Sequence, residues 1–127
     1  MDDQKEYARV NFYRKLNGIE LVSVDQDACE AKMEIEQKHI NAGGYVHGGA
    51  LFTIADCVGG TTARTDGRQY VTQSAHINFI KNIQKGTVIA KGRILSRGRK
   101  IAIVKVMIYN EEGMLLANVI CDMYCVE

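Results

Sequence analysis

The stretch His39-Ile-Asn-Ala-Gly-Gly-Tyr-Val-His-Gly-Gly49 is a glycine-rich segment that leads directly into a helical pattern. The apolar residues of that pattern share one stripe: Leu51, Ile54, Ala55 and Val58. Glycine permits close backbone approach, and the first N–H groups of a helix lack intrahelical partners. The segment predicts the one strong helix of the chain, over about 46–64. At its start the N–H groups of Gly48 and Gly49 are expected to face an anion or a developing oxyanion.

Most of the remaining chain has strand-like patterns. From Cys29 to Gln37, apolar and charged residues alternate, as is typical of a half-buried strand. Four later stretches also look like strands, joined by turn-sized links: Tyr70 to Ile80, Thr87 to Ser96, Lys100 to Tyr109 and Leu115 to Val126. We expect these four to form an antiparallel meander. A loose helical pattern up to Leu16, closed by Asn17-Gly18, predicts an N-terminal helix over 1–17.

Together these elements predict an α+β domain in which a curved antiparallel sheet wraps around one long central helix. A length of 127 residues with 46% apolar content fits a single domain over 1–127. Such a sheet has exposed edges, and one helix is too small to cover everything else. We therefore expect a homodimer or a homotetramer.

The composition excludes several function classes. With 16 Lys and Arg against 15 Asp and Glu, the net charge of +1 gives no general attraction to nucleic acid or to an anionic membrane. No apolar run reaches the roughly 18 residues of a membrane span, and the first residues are polar, so a cytoplasmic protein is expected. The four cysteines form no CxxC pair and are expected to be free thiols. His39 and His76 have no partners at ligand spacing, so no metal is expected.

Asp56 is the candidate for chemistry on the central helix. Helical periodicity places it opposite the apolar stripe, on a side that also carries Phe52 and Gly60. A carboxylate among small and apolar residues would be partly desolvated unless something uses it. The spacing alone is equally consistent with a solvated helix aspartate.

The run Asn41-Ala-Gly-Gly-Tyr-Val-His-Gly-Gly49, followed by Ala55-Asp56 and Gly59-Gly60, resembles the hotdog-fold acyl-CoA thioesterases of the phenylacetic-acid-degradation (PaaI-like) type. The likeness continues through Ile77-Asn78-Phe79 and Gly98-Arg99 and covers nearly the whole chain. It implies a hotdog fold and the hydrolysis of an acyl-CoA thioester. Members of the family often have a proline where this chain has Asn82, a change expected to alter only the turn.

Carried over by position, the resemblance implies that the Gly48 N–H and the Asn41 side chain polarise the thioester carbonyl. Asp56 would then act as general base or nucleophile, which suits acyl transfer because that reaction needs oxyanion donors and a positioned carboxylate. Residues expected nearby are His47 in the catalytic loop and, lining the substrate site, Gly49 and Phe52.

Thr72 falls where the family often has a hydroxyl residue that assists the attacking water. By period-two counting it shares a strand face with Ser74, which is the second candidate for this role because the preceding loop could shift the register. A strand-forming threonine without a catalytic role is an equally good interpretation of Thr72. His47 likewise could steady the leaving thiol or only orient its loop.

Arg97-Gly98-Arg99-Lys100 is a dense basic turn between two strands. In the resembled family this region lies beside the nucleotide end of CoA, so the turn is a candidate phosphate site, with Arg99 the best candidate because arginine engages phosphate in a forked geometry. A solvated turn is the alternative. CoA would be part of the substrate, and no separate cofactor is expected.

Three other functions are to be weighed against the same sequence. A non-catalytic acyl-CoA-binding module would keep the fold and the phosphate contacts without needing Asp56. A hotdog dehydratase acting on acyl carrier protein is disfavoured, because it would place its acidic residue in a proline-rich loop and this chain has no proline. A purely structural homo-oligomer would leave the His-Gly-Gly glycines without a purpose.

Overall fold

The computed structural model describes residues 11–127. Most of the predicted N-terminal helix therefore lies outside the described residues. Its last part is helix α1, Phe12–Leu16, which begins where the Asn11 side chain accepts a hydrogen bond from the Arg14 N–H at 2.9 Å. The helix ends at Asn17, just before Gly18 with its positive φ of 69°.

One long helix and six strands follow in the described chain. In chain order they are β1 (Ile19–Asp25), β2 (Ala28–Glu34), α2 (Gly48–Ala63), β3 (Tyr70–Phe79), β4 (Thr87–Arg97), β5 (Ile101–Tyr109) and β6 (Leu115–Cys125). Short 3₁₀ turns at Gln37–His39 and Arg64–Asp66 flank the segment that contains α2. The predicted central helix and the four later strands are confirmed to within two residues at each end.

All six strands form one antiparallel sheet in the order β1-β2-β4-β5-β6-β3. The predicted four-stranded meander is wrong, because only β4, β5 and β6 follow one another in space. Strand β3 pairs with β6 at one edge, while β4 pairs with β2. The reason is that α2 crosses the sheet between β2 and β3, so β3 enters at the opposite edge, and local turn patterns cannot specify such a crossing.

Helix α2 packs on the concave face of this sheet. Its apolar stripe is buried, as predicted, against alternating side chains of β2, β4, β5 and β6. Two glycines let helix and sheet approach closely. A Cβ on Gly92 would lie 2.6 Å from Val58 Cγ1, and one on Gly59 would lie 3.0 Å from Cys121 Sγ. The helix therefore has a fixed depth and rotation, and the opposite side of α2 carries Asp56.

Strand β3 is the least covered part of the sheet. Apart from Tyr70 and Ile77, every residue of this strand is exposed, on the face towards α2 as well as on the outer face. Val71 and Phe79 are 52% and 56% exposed. The edge strand and the cleft between it and α2 thus form an open, partly apolar surface. Within residues 11–127 no helix is long and apolar enough to cross a bilayer.

Candidate active site

Asp56 and Thr72 meet across the cleft between α2 and β3. The Thr72 hydroxyl donates a hydrogen bond to Asp56 Oδ1 at 2.6 Å and also lies 3.5 Å from Met123 Sδ. The helix stripe that includes Ile54 and Val58 is fully buried, whereas Asp56 is half-buried and faces the open side of the cleft. The structure therefore brings together the predicted carboxylate and the predicted hydroxyl residue, at a place that solvent can reach.

Ser74 does not share the face of Thr72. A β-bulge between these two residues changes the register with β6, so that Thr72 pairs with Met123 and Ser74 with Asp122. The Ser74 hydroxyl donates to Asp122 Oδ2 at 2.8 Å, on the outer face of the sheet. The period-two expectation is wrong here because one extra residue in a bulge reverses the alternation. Within one protomer, Thr72 and not Ser74 lies beside Asp56.

Burial makes the thiols near Asp56 weak acids. Burial and, to a smaller extent, the charge of Asp56 raise the pKa of Cys57 to about 11. Burial and the charges of Asp56 and Asp122 raise the pKa of Cys121 to about 12. Burial also raises the pKa of Cys29 to about 12. All four cysteines are free, as expected, and these three are protonated at neutral pH. The Asp56 carboxylate, which accepts from the Thr72 hydroxyl, is the candidate base of the cleft.

The loop before α2 is organised by the Asn41 side chain. Its Oδ1 accepts hydrogen bonds from the N–H groups of Gly43 at 2.9 Å and Tyr45 at 3.1 Å. The backbone adds a bond from the Asn41 N–H to the Tyr45 carbonyl at 2.8 Å. Because Oδ1 is fully used in the loop, the amide Nδ2 is the atom left to donate. In residues 11–127 it has no hydrogen-bond partner.

His47 is the N-cap of α2. Its Nδ1 accepts from the Gly49 N–H at 2.8 Å, and its own N–H donates to the His39 carbonyl at 2.7 Å. The expectation that both glycine N–H groups are open is therefore wrong, because His47 takes the one at Gly49. The Gly48 N–H has no acceptor among the residues described. His47 orients the loop and leaves Gly48 as the open donor of the helix start.

Asn41 and Gly48 line the same groove, a cavity of about 390 Å³ whose other walls include Val46, Leu51 and Phe79. The Phe79 ring lies on Gly48, so that a Cβ at position 48 would be 3.0 Å from Phe79 Cζ. A side chain at position 48 would therefore force the Phe79 ring to shift. Phe79 belongs to the sequence motif, but its role as a wall of the groove was not predicted. An aromatic residue at the exposed end of an edge strand is the signal that could have indicated it.

Asn82, which stands in place of the proline of the family, does more than alter a turn. Its Nδ2 donates to the Val46 carbonyl at 3.0 Å, and its Oδ1 accepts from the Ile83 N–H at 2.8 Å. The Val46 N–H in turn donates to the Ile83 carbonyl at 3.0 Å. Asn82 therefore ties the segment after β3 to the segment just before α2 and helps to fix the wall of the groove.

The two halves of the predicted site are far apart within one chain. Gly48 and Asp56 lie eight positions apart on the same helix, which at about 1.5 Å per residue is about 12 Å along its axis. Phe52 lies half-buried between them. A water molecule positioned by a base must come to within about 3–3.5 Å of the carbonyl that it attacks. One protomer alone does not bring Asp56 and the Gly48 donor to the same carbonyl.

At the carboxyl end of α2, Arg97 is an internal structural residue. Its guanidinium donates to the Ala63 carbonyl at 2.9 Å, to Asp66 Oδ2 at 2.8 Å and to Asp27 Oδ1 at 2.9 Å. It also donates to the Tyr70 hydroxyl at 3.0 Å. The expectation that Arg97 binds phosphate is therefore contradicted. Its donors are used in holding the end of the helix to β4 and to the turn before β2.

Asp66 is the acceptor at the centre of this end. It receives the Tyr70 hydroxyl at 2.7 Å, the Arg68 Nε at 2.9 Å and the Arg97 guanidinium. Burial acts to raise the pKa of Asp66, but the hydrogen bonds from Tyr70 and Arg68 and the charge of Arg97 outweigh it and hold the pKa below its ordinary value. Neither Asp66 nor Arg68 was singled out from the sequence.

The other cations of the basic turn differ in their availability. Lys100 donates to the Glu127 carbonyl at 2.7 Å and lies over the Tyr124 ring. Gly98 donates its N–H to the Ile101 carbonyl at 2.8 Å and closes the turn. The Arg99 side chain is exposed and makes no hydrogen bond or ion pair with the described part of the chain. Arg99 is thus the available cation of the predicted phosphate site.

Comparison with known proteins identifies the family and the fold. Residues 43–117 match the family model described as the thioesterase superfamily. Acyl-coenzyme A thioesterase 13 of Pongo abelii is 28% identical over 112 residues, covering 85% of this chain and 80% of that protein. The E. coli PaaI protein of the phenylacetic acid degradation operon has the same fold, with a TM-score of 0.94 at 19% identity over 97% of this chain and 90% of that one.

A third similar protein has a solved structure that contains a ligand. The smu.793 protein of Streptococcus mutans, solved bound to acetyl CoA, has a TM-score of 0.82 at 27% identity over 85% of this chain and 88% of that chain. The family match covers more than half of the present sequence and includes Gly48, Asp56 and Thr72. The chain therefore belongs to the thioesterase superfamily, with the hotdog fold of the PaaI-like thioesterases.

Proposed function

We propose that this protein hydrolyses an acyl-CoA thioester to a free acid and CoA. The observation that carries the proposal is the hydrogen bond from the Thr72 hydroxyl to the Asp56 carboxylate, in an open cleft of a thioesterase-superfamily fold. A carboxylate held in place by a hydroxyl group at 2.6 Å can orient water or attack a carbonyl directly. The solved relative with acetyl CoA supports the substrate class.

In this scheme Asp56 is the general base or the nucleophile, and Thr72 fixes its orientation and contacts the attacking water. The Gly48 N–H, at the positive end of the α2 dipole, and the Asn41 Nδ2 donate to the oxygen that becomes negative. His47 keeps both in place by capping the helix. The reaction uses water and groups of the chain itself, and CoA takes part only as a portion of the substrate.

The active site is completed by a second copy of the chain. Strand β3 has a free edge and is exposed on both faces. Thr72 lies near its start and Phe79, packed on Gly48, at its end. If two β3 edges pair antiparallel about a two-fold axis, the start of one lies opposite the end of the other. Gly48 of the partner subunit would then approach Asp56, closing the gap that exists within one protomer.

The nucleotide end of CoA is assigned to the turn that contains Arg99. This turn lies beside the start of β3, where Arg68 hydrogen bonds to it, and is therefore on the Asp56 side of the molecule. The exposed Arg99 guanidinium suits a phosphate group because its donors form a fork.

A non-catalytic acyl-CoA-binding module is the second candidate. It would use the Arg99 turn and the groove beside Asn41 but would give no reason for a hydroxyl group aimed at Asp56. The two functions differ in what a change at position 56 does. A binding module keeps its full function without the carboxylate.

The test is Asp56→Asn, assayed by thiol release from a panel of acyl-CoA substrates. The amide keeps the size of the side chain but is not a base, so kcat is expected to fall on the order of 10²-fold or more while acyl-CoA binding persists. The matched control is Asp122→Asn, which changes another carboxylate that accepts from a β3 hydroxyl, but on the outer face. Full activity in a folded Asp56→Asn protein would overturn the catalytic role of Asp56, whereas acyl-CoA binding without thiol release in the parent would favour the binding-module function.

A further inference from the structure

We propose that Arg68 is a positioning residue that holds the β4–β5 turn in the shape in which Arg99 meets the phosphates of CoA. This inference deepens the proposed function and rests on its assignment of the nucleotide end to Arg99. Arg68 acts through the backbone of the turn, and it makes no phosphate contact itself. It lies 31 positions from Arg99 in the sequence, outside the basic run and outside every motif identified from sequence.

The contacts of the Arg68 guanidinium carry the inference. Its Nη1 donates to the Arg99 carbonyl at 2.6 Å and its Nη2 to the Gly98 carbonyl at 3.1 Å. The third nitrogen, Nε, donates to Asp66 Oδ2 at 2.9 Å. Each nitrogen thus has an acceptor within the protein, and two consecutive carbonyls of the turn are held by one planar group. A side chain used in this way is a clamp on the turn.

The clamp is anchored at a rigid place. Asp66, which fixes Arg68 Nε, also accepts from the Tyr70 hydroxyl and from Arg97, and it accepts the backbone N–H of Arg68 at 3.0 Å. The Arg68 guanidinium lies 5.4 Å from the centre of the Tyr70 ring. The position of Arg68 is therefore set by several contacts at the end of α2 and the start of β3, and it transmits that position to the turn.

The turn itself has few other constraints. The Gly98 N–H donates to the Ile101 carbonyl at 2.8 Å, which closes the turn but does not hold the Gly98 and Arg99 carbonyls. Lys100 reaches away to the Glu127 carbonyl. Arg99 is exposed, so its own side chain does not fix the backbone. Without Arg68 the peptide groups on either side of Arg99 are freer to rotate, and phosphate binding must then order them at an entropic cost.

The experiment measures binding of adenosine 3′,5′-bisphosphate, which has phosphates like those at the nucleotide end of CoA, by titration calorimetry on the whole protein. Arg99→Ala and Arg68→Ala are each expected to weaken binding on the order of tenfold. In the double variant Arg68→Ala/Arg99→Ala, binding is expected to be no weaker than in Arg99→Ala alone, because Arg68 acts through Arg99. Arg93→Ala, at an exposed arginine within β4 and outside the basic turn, is the control and should bind like the parent.

A second variant, Arg68→Lys, distinguishes the positioning contacts of Arg68 from its positive charge. It also keeps the test valid if Arg68→Ala does not fold. Arg68→Lys keeps the charge, but an ammonium group cannot reach Asp66 and two carbonyls in one plane, so it should bind the bisphosphate as weakly as Arg68→Ala. Parental affinity in Arg68→Lys would show a charge effect and overturn the inference. Additive losses in the double variant would show direct phosphate contact and would also overturn it.

Hydrolysis of acyl-CoA by the parent, measured in parallel, keeps the two claims distinct. Hydrolysis without any bisphosphate binding overturns the role of Arg68 and leaves the proposed reaction intact. Bisphosphate binding with the predicted non-additivity, but without hydrolysis, supports the role of Arg68 and removes the proposed catalysis.

Discussion

The two ends of helix α2 differ in how their hydrogen-bonding groups are used. At the amino end, the Gly48 N–H and the Asn41 Nδ2 have no acceptor in the described chain, and both line a groove of about 390 Å³. At the carboxyl end, Arg97 and Asp66 use their donors and acceptors on each other, on Tyr70 and on the helix carbonyls. One end is open to a ligand and the other is closed by the protein itself.

This difference shows that a small domain can keep hydrogen-bond donors open for a ligand at one end of a helix while the other end is fixed by internal hydrogen bonds. Cationic groups at the carboxyl end of a helix stabilise its dipole, and Arg97 does so in a partly buried site, with its side chain 20% exposed. Unsatisfied donors at the amino end have a cost in the absence of ligand, which a substrate oxygen can remove. Changes to Gly48 or Asn41 should therefore affect catalysis, whereas changes to Arg97 or Asp66 should affect stability.

The largest expected effect is at the amino end, in Asn41→Asp. The aspartate keeps an oxygen that can accept from the Gly43 and Tyr45 N–H groups, but it loses the Nδ2 donor and adds a negative charge beside the developing oxyanion. We expect kcat to fall by about 10²-fold or more, while the melting temperature changes little. Steady-state kinetics and thermal unfolding check both. A loss of stability matching the loss of activity would remove the difference between the two ends.

The next effect is at the carboxyl end, in Arg97→Ala. Truncation leaves Asp27 without its cation, Asp66 with Arg68 as its remaining cation and the Ala63 carbonyl without the Arg97 donor, so stability should fall by about 2–4 kcal/mol. Urea unfolding measures this change. Arg99→Ala, in the same turn, is the matched control and should stay within about 0.5 kcal/mol of the parent. Equal losses in the two variants would contradict the structural role of Arg97.

The smallest effect is the pH dependence of stability that Asp66 provides. Because the folded protein holds the pKa of Asp66 below its ordinary value, this carboxylate contributes stability above its unfolded pKa, and the contribution is lost as the pH falls through the folded value. Asp66→Asn should therefore be less stable than the parent at neutral pH, with a gap that narrows below about pH 4. Unfolding at several pH values measures the gap, and a constant gap would show that the charge of Asp66 is not involved.

Much of the fold was predictable because its signals are local. The alternation after Cys29, the stripe from Leu51 to Val58 and the glycine turns specified most elements to within a few residues, but β1 (Ile19–Asp25) was not predicted. The order of strands was not predictable in this way. The connection through α2 places β3 beside β6 at one edge of the sheet. Residues 80–86 then lead past β6 and β5 to β4, so β3 and β4 are consecutive in the sequence but not neighbours in the sheet. A turn pattern in the sequence does not show which strands pair.

The candidate site was predictable where one motif contains it. Asn41, His47, Gly48 and Asp56 lie in one short stretch, and the structure places Gly48 and Asp56 on α2, His47 at its N-cap and Asn41 in the loop before it. The residues missed by sequence reasoning act over long separations: Arg68 contacts the turn at Arg99, and Asn82 contacts Val46. The error over Ser74 arose from a bulge, which period-two counting cannot detect. Such contacts depend on the fold as a whole, and no regular spacing of residues in the sequence indicates them.

The central claim is that acyl-CoA hydrolysis takes place in a site shared by two subunits, and a complementation experiment tests it most directly. Asp56→Asn and Asn41→Asp, each inactive alone, would be co-expressed with different tags, and the mixed dimers isolated and assayed for thiol release. A shared site leaves each mixed dimer with one intact pair of residues out of two, so the isolated mixed dimers should recover roughly half of the parental activity, and an unseparated random mixture roughly a quarter. If each subunit carried its own complete site, the mixed dimers would remain as inactive as either variant, which would contradict the account.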